Sequence, residues 1–227
     1  MRMIVVFEKG WRLRHIGHLD LMRTMHRALR RTELPIAYSK GFNPHMLTSF
    51  ASALSVGVAG EREILDVALE EGVAEEVFKE QLKKALPPDL KLLEAIAVTD
   101  QHPAFMSLLA AASYRAFFPG EEALPMLEAI EPLLARQKIP AMRKSKSGLK
   151  PCDIRPMIYQ LSGDKSDEGV TLRMVLALKE QATCKPDLLF NALREQAGMA
   201  ECPRYELVRT GLWGEEKDGA LAPLESL

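Results

Sequence analysis

Hydrophobic residues recur with two different spacings in the first hundred residues. Met1–Phe7 is a continuous, β-branched apolar run, which predicts a strand. From His18 to Arg31 the apolar residues fall three or four apart, which predicts an amphipathic helix. Ile36–Ser39 and Met46–Ala53 are candidate extended segments around the turn-rich Gly41-Phe42-Asn43-Pro44. Strands are predicted at Ile64–Leu69 and Leu92–Val98, and a second helix at Ala74–Leu86. The resulting order is β-α-β-β-α-β, the split βαβ arrangement.

The second half of the chain repeats this order without obvious sequence identity. Strands are predicted at Ser113–Phe118, Ile154–Leu161, Thr171–Leu178 and Tyr205–Arg209, and helices at Leu124–Ala135 and from Pro186 to near Gly198. The pattern therefore predicts an α+β fold of tandem ferredoxin-like (βαββαβ) domains with antiparallel sheets. The expected boundaries are 1–101 for the first domain, 102–213 for the second and 214–227 for a flexible C-terminal tail.

Length and composition fit two globular domains. The chain has 227 residues, of which 47% are hydrophobic and 27% charged, close to ordinary usage. Cys152, Cys184 and Cys202 are too far apart for a zinc knuckle and odd in number for a disulfide framework. The sequence lacks the apolar run of about 18 residues that a membrane helix needs, and Met1–Val6 has no signal-peptide pattern. We therefore expect a cytoplasmic protein with no membrane partner.

The near-zero net charge hides two basic blocks. Residues 1–45 hold nine Lys/Arg against three Asp/Glu, a net charge of +6, and residues 136–160 hold seven against one, again +6. The rest of the chain is acidic, and the whole chain carries a net charge of −1. Localised positive charge indicates a localised anionic partner, although solvated faces of a helix or hairpin carry similar charge.

Two phrases in the first basic block carry a family resemblance. They are Arg14-His15-Ile16-Gly17-His18-Leu19-Asp20-Leu21-Met22-Arg23 and Ala37-Tyr38-Ser39-Lys40-Gly41-Phe42-Asn43-Pro44-His45, followed by Ser49-Phe50 and, later, Asp153-Ile154-Arg155-Pro156. Over residues 1–213 the chain resembles a bacterial family of radical-SAM-linked (radical-SAM-associated) proteins. Gly17 and Met46 depart from the family phrases, which would have Ser and Pro there.

The resemblance implies a partnership with a separately encoded radical-SAM enzyme. The chain has no CxxxCxxC triplet of thiolates to hold an iron–sulfur cluster. It is therefore expected to be the companion of such an enzyme and not the enzyme itself.

Imidazole, guanidinium and amide groups concentrate in the two amino-terminal phrases. Such groups suit recognition of a phosphodiester or nucleotide. The predicted ligand-binding residues are Arg14, His15, His18, Asp20, Arg23, Tyr38, Asn43, His45 and Ser49. His18 has an alternative interpretation as a partly buried side chain. His15-x-x-His18 lacks a carboxylate or thiolate cluster to complete a metal site, so neither a metal nor a cofactor is expected.

A second set of cations is predicted to hold phosphate groups. It comprises Arg27, Arg30, Lys144, Lys146, Lys150 and Arg155. Asp153 precedes Arg155 by two residues and would share a strand face with it, so it is expected to orient the guanidinium. Aromatic residues make up only 6% of the chain, so we expect contacts to the RNA backbone rather than stacking on bases.

The prediction is thus an accessory protein that binds RNA or a nucleotide through a basic cleft. Two alternatives stay open at this level. One is a metal-independent endoribonuclease of the type that processes CRISPR RNA, with His15 or His18 near a helix start as the base. The other is a protein-interaction subunit without ligand chemistry. Fold analogy alone does not decide whether the chain is an enzyme.

Overall fold

The chain folds into two compact units. The structure, a computed structural model, describes residues 1–145, 148–179 and 182–227, with the backbone only for residues 144 and 145. Unit 1 comprises residues 1–109 and 209–227, and unit 2 comprises residues 110–208.

Unit 1 begins with the β-α-β-β-α-β order that the sequence pattern predicts. The elements are β1 (Arg2–Lys9), α1 (His18–Leu29), β2 (Thr48–Phe50), β3 (Val58–Ala68), α2 (Glu75–Ala85) and β4 (Leu90–Val98), followed by the one-turn helix α3 (Phe105–Leu108). In the sheet, β1 lies between β4 and β3, and β2 pairs with β3. All three pairings are antiparallel.

The core of unit 1 lies between this sheet and its helices. Alternate residues of β1 point to one side of the sheet, and Met3 and Phe7 are fully buried in a cluster with Met25 of α1 and Phe78 and Leu82 of α2. The 3.6-residue spacing of apolar positions in both helices thus has its physical basis in this contact.

Unit 2 is also α+β. Its elements are β5 (Leu109–Pro119), α4 (Leu124–Glu128), α5 (Ile130–Leu134), β6 (Pro140–Ser145), β7 (Gly148–Asp153), β8 (Ile158–Lys165), β9 (Gly169–Ala177) and α6 (Pro186–Gln196). β9 pairs antiparallel with both β5 and β8. β6 and β7 form a separate two-stranded hairpin. The α+β class and the antiparallel pairing are confirmed, while the ferredoxin-like tandem stays a prediction.

Two expected elements of unit 2 differ in the structure. The helix expected over Leu124–Ala135 is divided at Ala129 into α4 and α5. Pro132 therefore lies in the first turn of α5, where its missing N–H costs no helical hydrogen bond. The strand expected from Ile154 starts only at Ile158, because Arg155–Met157 form a 3₁₀ turn that contains Pro156.

The carboxy-terminal segment from Arg209 onwards forms an ordered part of unit 1. β10 (Glu206–Glu215) continues into a turn, and β11 (Leu221–Pro223) pairs with it through Trp213 and Pro223. Leu224 is fully buried. The tail expected to be flexible therefore contributes a strand and an apolar anchor, because Ala222 and Leu224 both find buried positions.

The helices are short. The longest α-helix among the described residues, α1, has 12 residues, against the ~20 that span a bilayer. None of the described helices has the length and apolar character to cross a membrane.

Candidate functional site

Helix α1 starts on glycine, and its first carboxylate has a partner on the same helix. Gly17 is the N-cap and offers no capping side chain, so only its carbonyl bonds the helix, accepting from the Leu21 amide at 3.0 Å. Asp20 accepts from Arg23 Nη1 at 3.0 Å, and both side chains are more than half exposed. Asp20 thus pairs with Arg23 in an exposed ion pair, which adds little stability.

One side of α1 lies along β2. His18, Met22 and His26 are four residues apart, so they form a row on one side of the helix. The His18 ring meets Phe50 edge-on at 5.2 Å between centroids. His26 Nε2 lies 2.8 Å from Thr48 Oγ1, whose hydroxyl donates to Met22 Sδ at 3.5 Å. Since Thr48 donates to sulfur, it accepts from His26.

The environment of His26 is cationic. Burial lowers the pKa of His26, and the nearby charges of Arg30 and His45 lower the pKa further. The imidazole is therefore held neutral among positive groups. His26 was missing from the predicted site, and its signal was the four-residue spacing from Met22 and His18.

A closed turn positions His45 beside this side of α1. The Ser39 amide donates to the His45 carbonyl at 2.9 Å, and the His45 amide donates to Ser39 Oγ at 3.1 Å. Ser39 Oγ also lies 2.7 Å from His45 Nδ1. We term Ser39–His45 the tip turn. Gly41, at φ +138°, takes a conformation that side chains rarely adopt.

The tip turn carries exposed chemistry at its end. Asn43 is exposed, and Phe42 is fully exposed, with no neighbour covering its ring. Tyr38, which pairs with Met46 at the base of the turn, is 39% exposed. A fully exposed phenyl ring is unfavourable in water, and Phe42 was not among the predicted site residues.

Two predicted residues of the first phrase lie in the loop before α1. The Arg14 guanidinium stacks over Trp11 at 4.1 Å from the ring centroid and donates to the Trp11 carbonyl at 2.9 Å. His15 is exposed. Arg14 is thus held by a cation–π contact, and only His15 of this loop presents an imidazole fully to solvent.

A buried network of charges holds the loops on both sides of this region. Lys9, Glu63 and Arg209 are 1–2% exposed. Lys9 Nζ donates to the carbonyls of Arg14, Ile16 and Val58, each at 3.3 Å. Burial lowers the pKa of Lys9, Glu63 raises it and Arg209 lowers it again. Lys9 therefore fixes the loop that leads into α1.

Arg209 does the same for the loop after β2. Its guanidinium donates through Nε to Glu63 Oε1 at 2.8 Å and through Nη2 to Glu63 Oε2. It also donates to the carbonyls of Ser52 and Ala53 at 3.3 and 3.2 Å. We term Lys9, Glu63 and Arg209 the buried triad. Its sequence signal was Arg209 on the same face of a strand as the buried Leu207.

The structure does not bring Ser49 to the imidazoles. Side chains alternate along β2, so Thr48 and Phe50 face α1 and Ser49 points to the opposite side. Ser49 pairs in register with Asp66 of β3. The Ser-Phe step of the sequence therefore contributes its phenyl ring, and not its hydroxyl, to the surface beside α1.

Apart from Asp20, the sequence segments that carry this surface have few carboxylates. Residues 34–60 contain no Asp or Glu, and neither do residues 21–32. Arg23, Arg27 and Arg30 lie within about 60° of one another around α1, and all three are exposed. We term the following set the basic surface: Arg23, His26, Arg27 and Arg30 of α1, with His45 of the tip turn.

The predicted phosphate-binding residues of unit 2 are divided between the hairpin and the turn after it. Arg143 and Lys150 lie directly opposite each other in the β6–β7 register. Lys144 pairs with Leu149 through its backbone, and its side chain and all of Lys146 lie outside the described residues.

Arg155 is engaged in the fold. β7 ends at Asp153, so the expected shared strand face does not exist. Asp153 Oδ1 instead accepts the backbone amides of Ile139 and Arg155, at 2.8 and 3.0 Å, which lowers the pKa of the carboxyl. Arg155 Nε donates to the Leu134 carbonyl at 3.0 Å. Asp153 thus organises the turn, and Arg155 ties it to α5.

Metal or thiol chemistry has little support in the described geometry. Within residues 1–145, 148–179 and 182–227, no three His, Cys, Asp or Glu side chains group as metal ligands. Burial raises the pKa of Cys184 to about 12, which keeps it a thiol rather than a thiolate. Cys152 is half-buried and donates to the Ala141 carbonyl at 3.6 Å.

Comparison with known proteins gives the family. Residues 2–186 match the model of a family described as "Uncharacterized protein conserved in bacteria (DUF2344)". The comparison with curated proteins gives no match. The family description names no radical-SAM enzyme, so the expected link to one stays a prediction. Because the match covers most of its length, the chain belongs to the DUF2344 family of bacterial proteins.

Proposed function

We propose that the chain binds RNA through the basic surface of unit 1. The observation that supports the proposal is the imbalance of charge: exposed arginines and two imidazoles gather beside 27 residues, 34–60, without a carboxylate. Asp20, the one acidic residue of α1, is already paired with Arg23. A polyanion supplies the counter-charge that this surface lacks.

The hairpin of unit 2 is proposed as an independent second contact. Arg143 opposes Lys150, and the sequence adds Lys144 and Lys146 at its end. Lysine and arginine side chains donate charge-assisted hydrogen bonds to phosphate oxygens, so a basic hairpin suits contact with the RNA backbone. Arg155 and Asp153 would act on this contact only by shaping the turn that follows β7.

The proposal is tested by a salt titration of RNA binding. Fluorescence anisotropy of a labelled RNA measures the affinity of the full chain between 50 and 300 mM salt, where each lost phosphate contact reduces the log–log slope by about one. Arg27→Glu with Arg30→Glu is expected to weaken binding by more than tenfold at low salt. Lys83→Glu, an exposed charge reversal on α2, is the matched control and is expected to leave binding close to that of the wild type.

Several outcomes would contradict the proposal. Absence of low-salt affinity, or an affinity that does not change with salt, removes the electrostatic contact. If the arginine reversals abolish capture of a protein partner but leave RNA binding intact, the basic surface is a docking surface instead. RNA cleavage lost in His15→Ala or His18→Ala would assign the chain to the metal-independent endoribonucleases.

The finer part of the proposal is a partnership with a radical-SAM enzyme in the cytoplasm. Its support is the resemblance carried by the phrases Arg14–Arg23 and Ala37–His45. In this role the chain would bring RNA to an enzyme that carries the iron–sulfur cluster itself. Co-purification of the tagged chain from its native cell, with mass spectrometry of the bound proteins, is the test; recovery of RNA without a radical-SAM enzyme contradicts the partnership alone.

A further inference from the structure

We infer that the tip turn is a nucleobase-binding element, so that the RNA contacted by unit 1 carries an unpaired base that stacks on Phe42. This inference rests on the proposed function and narrows its substrate class. It differs from the expectation drawn from composition, in which backbone contacts alone hold the RNA.

Phe42 stands clear of the rest of the protein. Its ring is fully exposed at the end of a turn whose base is closed by three hydrogen bonds between Ser39 and His45. A turn fixed in this way loses little conformational entropy when a ligand binds. The turn therefore presents a flat apolar ring from a backbone that is already fixed.

Polar and cationic side chains accompany the Phe42 ring in the tip turn. Lys40 and Asn43 flank Phe42 in the same turn, and both are exposed. His45 closes the turn, and its charge acts on His26 beside Arg30. A turn that carries a planar apolar ring, cations and an amide matches the groups of a nucleotide. The base would stack on the ring, the amide would bond the base edge and the cations would hold the phosphate.

The residues around Phe42 favour a nucleobase over an apolar protein surface as its ligand. A protein-binding patch gathers apolar side chains and excludes charge from its centre. Phe42 instead has glycine and asparagine as chain neighbours and lies in a 27-residue run without an acidic residue. This positive setting favours an anionic ligand that contains aromatic rings, as a single-stranded nucleic acid such as the proposed RNA does.

The test compares single-stranded and duplex RNA of one sequence. Phe42→Ala is expected to weaken binding of the single strand by about 5- to 100-fold, as loss of one stacked base does, and to leave duplex binding unchanged. Phe42→Trp is expected to restore it. Leu47→Ala, in the same segment and 41% exposed, is the matched control and is expected to have no effect on either RNA.

Stacking is read directly with 2-aminopurine at one position of the single strand. Its fluorescence is expected to fall on binding to the wild type and to Phe42→Trp, and to stay unchanged with Phe42→Ala. If Phe42→Ala binds the single strand as the wild type does, or loses single strand and duplex equally, the inference is wrong while RNA binding stands. If the wild type binds neither RNA, the proposed function itself fails.

Discussion

Unit 1 contains two groups of charged residues with opposite surroundings. The buried triad is 1–2% exposed, and its cations reach a carboxylate or backbone carbonyls. The basic surface is exposed or half-exposed, and apart from Asp20, which pairs with Arg23, residues 21–32 and 34–60 contain no carboxylate. Buried charges require partners to offset desolvation, while exposed cations do not.

The difference separates what holds the site from what the site offers to a ligand. The triad binds the loop before α1 through Lys9 and the loop after β2 through Arg209. Between those loops lie α1 and the tip turn, which carry the basic surface. Changes in the triad should therefore alter the free energy of unfolding first, and changes in the basic surface should alter binding first.

The largest effect on stability is expected from Glu63→Gln. This variant leaves Lys9 and Arg209 as two buried cations without a counter-charge, and removing one member of a buried ion pair costs about 3–5 kcal/mol. Arg209→Met leaves Lys9 facing Glu63, a charge-balanced pair, so its loss should be smaller. Urea denaturation of both variants measures the order.

The reverse order of destabilisation would contradict this expectation. If Arg209→Met proves more destabilising than Glu63→Gln, the hydrogen bonds from Arg209 to the loop of Ser52 and Ala53 outweigh the balance of charge. Arg23→Gln is the control for an ion pair at the surface. It should change the unfolding free energy by less than about 1 kcal/mol.

A smaller loss is expected from Gly60→Ala. Gly60 pairs with Lys9 across the sheet, and a Cβ at this position would lie 2.6 Å from the Cγ and Oε1 atoms of Glu63. Because Glu63 is fixed by Arg209, the clash should cost about 1–3 kcal/mol. The melting temperature or urea midpoint measures it.

Gly72→Ala provides the matched control for that clash. Its Cβ would come no closer than 3.7 Å, to Met1 Sδ, which is an ordinary contact. It should therefore be neutral or slightly stabilising. Equal effects of the two substitutions would mean that Glu63 moves freely, contrary to its role in the triad.

The elements of unit 1 were largely accessible from the sequence because local patterns determine them. The spacing of Leu21, Met25 and Ala28 and the alternation of β1 both reflect burial against the sheet. Asp153 illustrates the limit: its proximity to Arg155 was visible, but the end of β7 between them depends on the turn around Pro156.

The candidate site was only partly accessible for the same reason. His18 and His45 stand in recognisable phrases, but the placement of Lys9 and Arg209 around Glu63 depends on strands far apart in sequence. The sequence shows that residue 42 is a phenylalanine, but it does not show that the ring is fully exposed. Long-range packing decides both properties, and no local pattern reports them.

The smallest expected effect is a dependence of stability on pH through His26. Burial and the charges of Arg30 and His45 hold the folded-state pKa of His26 below its unfolded value of about 6.5. At pH values between the two pKa values the unfolded state binds more protons, so stability rises with pH there. The contribution of neutral His26 is thus present above the unfolded pKa and is lost as the pH falls through 6.5 towards the folded pKa.

The measurement is the free energy of unfolding by urea between pH 7.5 and 5 for the wild type and His26→Gln. The glutamine keeps a donor near Thr48 Oγ1 and does not titrate, so the variant should lose less stability towards pH 5. Solvent screening at this partly exposed site keeps the difference under about 1 kcal/mol. Equal slopes for the wild type and His26→Gln would mean that folding does not lower the pKa of His26. The positive environment inferred for His26 would then be wrong.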